Sequence, residues 1–176
     1  MTKISYKLTE RDGRYYFNDG TGDVLVKPGF SNQSYLLQGD TITLDDCAEE
    51  LPPHVCFLPF IDPTLPIFQG KFNGKVLKCA FHFGNRFSSV NTVFVWGSDV
   101  SLHLHSELLD FELGEDFHFK GHFEPAIGIA AVLPFAQYNV DCFFGNEIFE
   151  QYDLFISSIP GKRGLAILEK DDNGKN

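Results

Sequence analysis

No stretch of the sequence approaches the roughly 18 consecutive apolar residues of a membrane span, so none is expected. Basic side chains are scarce: 14 lysines and arginines stand against 24 aspartates and glutamates, a formal charge of -10. With no basic cluster, the chain is a poor match for nucleic acid or an anionic surface, and neutral or cationic ligands suit it better. The cysteines Cys47, Cys56, Cys79 and Cys142 include no CxxC pair. That argues against zinc held by thiolates and fits free thiols in a reducing compartment. The opening residues MTKISYKLTERDGRYYF lack the apolar core of a secretory signal, which predicts a cytoplasmic protein. P-loop, G-x-S-x-G and dinucleotide fingerprints are missing as well.

What is plentiful is phenylalanine. The 176 residues include 19 of them within a 43% hydrophobic composition, ample for the core of one domain. Short alternating runs such as ISYKL, RYYF, DVLV, TITLDD, VLKCAFHF and DFHFKGHF are separated by RDG, NDGTG and similar turn signals. Many short strands with frequent turns predict an all-β sandwich or barrel. The run IGIAAVLPF within EPAIGIAAVLPFAQ is read with the strands, because the stretch's prolines, glycine and β-branched residues disfavour a helix. The proline-rich stretch PPHVCFLPFIDPTLPIFQGKFNG reads as an edge strand or a long loop. The polar ending EKDDNGKN reads as a frayed tail.

The stretch FHFGNRF, residues 81–87, gives the first hint of chemistry. In a strand, His82, Gly84 and Arg86 share one face, and the phenylalanines and Asn85 share the other. A face holding only polar groups and a glycine is either plain solvated surface or the floor of a site. The stretch resembles the H-F-N-P-R-F signature of the galectins, the galactoside-binding lectins. Further matches follow in order: GDTITLDD resembles an early galectin strand, and NTVFV the strand after the signature. DFELGEDFHFKGHF resembles F-x-F-x-x-G-x-x-F-x-L, YNVDCFFGNEIFEQY the late hairpin, and SSIPGKRGLAIL the closing strand.

The resemblance runs over about residues 29–168. It implies a two-sheet antiparallel jelly-roll β-sandwich over 28–168, an N-terminal addition over 1–27 packed on it, and a tail over 169–176. It also implies non-enzymatic binding without a cofactor, a homodimer, and export that needs no signal peptide. His82 and Arg86 match the family's sugar-binding histidine and arginine. Gly84 stands where the signature has asparagine, and Asn85 where it has proline, so an amide is restored only if the strand bulges.

The family's W-G-x-E-x-R is represented in one of two registers. In one, Trp96 of WGSD is the stacking ring and Asp99 the acid. In the other, Trp96 falls at an asparagine position and Glu107 lies near the acidic one. The implied ligand set is therefore His82, Asn85, Arg86, Trp96 and Glu107, serving a galactoside-like or retuned glycan at an altered site.

Two other readings stay open. In one, the same fold has lost sugar binding altogether and serves as a protein-interaction module. Alternatively, Gly97, His103-x-His105 and Glu107 resemble the first half of the cupin metal motif, which implies a metal-dependent enzyme.

Overall fold

Alternation between faces builds most of this molecule. In the run HFKGHFEPA, Phe119, Gly121 and Phe123 are buried while His118, Lys120, His122 and Glu124 are exposed. That is the period of two expected of a half-buried strand. The computed structural model describes residues 3–27, 30–62, 65–72, 74–81, 88–91, 107–114, 117–126 and 129–170.

In chain order the strands are β1 (Lys3–Lys7), β2 (Thr9–Arg11), β3 (Arg14–Asn18), β4 (Asp23–Leu25), β5 (Ser34–Gln38), β6 (Thr41–Asp45), β7 (Cys56–Pro59) and β8 (Ile67–Phe72). Then come β9 (Lys75–Phe81), β10 (Ser88–Asn91), β11 (Glu107–Glu112), β12 (His118–Ala126), helix α1 (Ile129–Tyr138), β13 (Cys142–Phe144), a short 3-10 helix (Asn146–Glu150), β14 (Tyr152–Ser157) and β15 (Gly164–Glu169).

The strands form a six-stranded sheet, β1-β6-β5-β14-β15-β7, a closed barrel, β10-β12-β11-β8-β9-β13, and a small sheet, β2-β3-β4. The protein is all-β in character, as the sequence predicts. The wholly antiparallel pairing expected of it does not hold. Strand β13 lies between β9 and β10, parallel to β9 with Phe144 beside Phe81, and β10 runs parallel to β12 with Ser88 beside Phe123. The proline-rich region contributes β7, an edge strand that ends at Pro59, where no ladder bond is needed, but also β8, which is no edge and lies between β11 and β9 in the barrel.

Phenylalanine fills the barrel. Phe68, Phe111, Phe119, Phe123 and Phe144 have essentially no exposure. Small barrels of this kind are packed by their own side chains rather than hollow. Tyr35, Leu37, Ile42, Leu154, Ile156, Leu165 and Ile167 of the six-stranded sheet join the same core. The other face of that sheet buries Phe155, Ala166 and Leu168 against Ala48 and Leu51, so its central strands are covered on both sides.

Helix α1 corrects the reading of IGIAAVLPF as strand. Pro134 lies inside the helix, at the loss of one backbone bond. Packing outweighs that loss: Phe135 is buried with Ile67, Ala80, Ala126, Val140 and Phe143 on the outside of the barrel. The helix stops at Asn139, which adopts φ 53. There the Val140 N–H reaches the Phe135 carbonyl at 3.0 Å and the Asn139 N–H reaches the Ala136 carbonyl at 3.3 Å. That is a Schellman motif with asparagine in the left-handed position. Among the described residues, no helix is long and apolar enough to cross a membrane.

Candidate functional site

Of the residues implied by the galectin resemblance, His82, Asn85, Arg86 and Trp96 lie outside the described residues, as do Gly84, Gly97, Asp99, His103 and His105. Glu107 opens β11, opposite Phe123 of β12. The anchors of 82–87 are nevertheless clear. Phe81 ends β9 beside Phe144, and Ser88 begins β10 beside Phe123. Both anchors therefore stand at one end of the barrel.

That end is organised by the 3-10 helix. The Ser88 hydroxyl accepts the Gly145 N–H at 2.9 Å and fixes the start of the turn. Glu147, the next residue but one, is only 9% exposed. One of its carboxylate oxygens accepts the His122 backbone N–H at 2.9 Å, and the other meets His122 Nδ1 at 2.8 Å. His122 lies one residue before Phe123, and Glu147 takes up its main-chain donor as a neighbouring strand would. The imidazole is held at Nδ1, and its side chain is about half exposed.

Gly121 makes room for this arrangement. A Cβ there would fall 2.6 Å from the Phe119 ring and 3.5 Å from the Glu147 carboxylate. Alternation along DFHFKGHF, read as an extended strand, puts His118 and His122 on one face, and the structure agrees. Their partners were missed, because Glu147 arrives from 25 residues away and nothing local in GNEIFEQ marks it. The His118 pair with Asp110, 3.3 Å long and half exposed on both sides, is an ordinary surface pair of small value.

Replacing Glu147 with alanine strips the part-buried His122 backbone N–H of its acceptor, while the half-exposed imidazole can turn to water. The expected loss is about 2 kcal/mol, with a smaller loss for Glu147→Gln, which keeps the shape and one acceptor oxygen. Urea unfolding of the two variants measures this. Equal stability of Glu147→Ala and the parent would show that the carboxylate does not organise this end.

Behind the same helix lies a cleft of about 350 Å³, lined by Glu10, Tyr15, Asn146, Phe149 and Glu150 among others. The Asn146 amide ties the helix to the small sheet by donating to the Gly13 carbonyl at 2.9 Å. The Tyr15 and Phe149 rings sit 5.9 Å apart. Burial, then the charges of Glu10 and Glu150, raise the Tyr15 phenol above its usual value, so it stays a neutral donor.

Two of the buried thiols are poor nucleophiles. Cys56, Cys79 and Cys142 are buried and unbridged, and Cys47 is exposed. Burial pushes the Cys56 thiol up to about 11 and raises that of Cys142 as well, the opposite of an activated nucleophile. Among the described residues, no group of three or more histidine, cysteine, aspartate or glutamate side chains is placed to hold a metal. Compared with family models and with curated protein sequences, the chain matches none.

Proposed function

We propose that this protein is a non-enzymatic carbohydrate-binding module, a galectin-like jelly-roll sandwich whose galactoside site is altered. In this reading His82 and Arg86 donate to sugar hydroxyls, Asn85 supplies the amide lost at Gly84, Trp96 gives the apolar sugar face a ring to stack on, and Glu107 accepts. A sugar needs that combination of directed polar groups and a flat apolar surface.

The observation that carries the reading is the clamp at the barrel end: a buried carboxylate holds His122 beside the strand ends that lead into and out of residues 82–87. A rigid frame of this kind suits a site whose affinity depends on a few well-aimed hydrogen bonds. The formal charge of -10 and the absence of a basic cluster in the sequence agree with a neutral ligand.

A glycan array, with lactose as competitor, tests the proposal on the full chain. Parent protein should bind at least one glycan. The double variant His82→Ala/Arg86→Ala should bind it roughly 10- to 100-fold more weakly, as expected for two lost hydrogen bonds. Undiminished binding by the double variant overturns the site. Silence from folded parent protein overturns the sugar reading and favours a sandwich that binds protein partners.

A further inference from the structure

We propose a second saccharide site, in the cleft between the small N-terminal sheet and the β1–β6 edge of the six-stranded sheet. It shares no residue with the site proposed above. The cleft holds about 300 Å³, at the lower end of the range for small-molecule pockets, and suits a ligand of one or two sugar rings.

Its floor is aromatic. Phe17 is almost fully buried, with Tyr6 at 5.1 Å on one side and Phe30 at 5.9 Å on the other, ring centre to ring centre. Tyr6 and Phe30 are only partly buried, so each leaves ring surface toward the opening. Such a surface receives the C–H face of a pyranose.

The rim is polar and pre-set. At the turn between β3 and β4, Asp19 Oδ1 accepts the Thr21 hydroxyl at 2.6 Å and the Thr21 N–H at 2.9 Å. Those bonds hold the carboxyl below its usual value, so at neutral pH it is an oriented acceptor. Across the opening, the Ser31 hydroxyl accepts the Gln33 N–H at 3.0 Å, which leaves its own O–H to donate. The Gln33 amide adds both a donor and an acceptor.

The lining also selects against other ligands. Among the described residues it contains no lysine, arginine or histidine, so no cation there offsets the charge of a carboxylate or phosphate, which Asp19 would repel. A purely apolar ligand would strip water from Asp19 without replacing it. A neutral polyol with one apolar face satisfies both halves.

Nuclear magnetic resonance of the ¹⁵N-labelled full chain tests the proposal, with the methyl glycosides of galactose, glucose, mannose and N-acetylglucosamine as probes. At least one glycoside should move the amide signals of Asp19, Ser31 and Gln33, saturating in the millimolar range expected of single-sugar binding. The movement should persist in His82→Ala/Arg86→Ala. Asp19→Asn and Gln33→Ala change exposed side chains and should leave thermal unfolding unaltered while weakening binding about fivefold each, the equivalent of one hydrogen bond.

No movement of these amides with any of the four probes overturns the proposal, as does movement that both variants leave unchanged. The two sites fail separately. A silent array with moving cleft amides removes only the first, and array binding with still cleft amides removes only the second.

Discussion

Phe144→Ala is expected to remove about 4 kcal/mol of folding stability, a large share of the roughly 5–15 kcal/mol that holds a typical domain folded. Phe144 has no exposure and sits at the middle of the barrel's aromatic packing. Its ring centre lies 5.3 Å from that of Phe123, 5.4 Å from Phe111, and 5.8 Å from Phe68, Phe81 and Phe119. Truncation loses the transfer energy of the ring and leaves a cavity that stiff neighbouring rings cannot fill. Phe144→Leu, which keeps most of the volume, should cost less than half as much. Urea midpoints for the two variants decide the matter. A loss below about 1 kcal/mol for the alanine would mean that the barrel is not closed around this ring.

Gly164→Ala is the second large effect, for the opposite reason. Gly164 opens β15, with Ser157 of β14 on one side and Pro59 of β7 on the other. A Cβ there would stand 2.5 Å from the Leu58 carbonyl oxygen and 2.5 Å from the Phe57 ring. A ring can swing aside, but a main-chain carbonyl in a sheet cannot do so without breaking ladder bonds. The expected cost is about 3 kcal/mol, with β7 displaced from the sheet edge. Hydrogen exchange should therefore quicken most at the amides of β7. Protection there equal to that of the parent would contradict the close approach.

Period-two runs made much of this fold legible. DFHFKGHF reads as a strand with phenylalanines inward, and β12 buries Phe119 and Phe123. Pairing order was not legible. That β13 would slip between β9 and β10 depends on contacts far apart in sequence, about which a short run of residues says nothing. Helix α1 was hidden because its own propensities point away from helix and its stability comes from Phe135 packing on the barrel. Its stop signal, the asparagine at 139, was readable in YNVD.

At the site, alternation correctly put His118 and His122 on one face. Glu147 was beyond reach because burial, not sequence pattern, makes its carboxylate consequential. The two clefts were equally invisible, since each is assembled from elements that meet only after the N-terminal sheet docks.

The strand order β1-β6-β5-β14-β15-β7 has a further bearing on how the chain acquires its shape during synthesis. Its central pair joins β5, early in the sequence, to β14 of the late β14–β15 hairpin. Ser34, whose hydroxyl accepts the Ser158 N–H, is 124 residues away from it in the chain. As the polypeptide leaves the ribosome, the β5–β6 hairpin emerges with one long edge lacking its partner, and it waits there until more than a hundred further residues are added. Even with β1 on its other edge this is only a small open sheet, and such distant pairing is slow to form. A nascent chain at that stage exposes Tyr35 and Leu37 beside an open edge, the kind of surface that holding chaperones recognise and that neighbouring nascent chains can join.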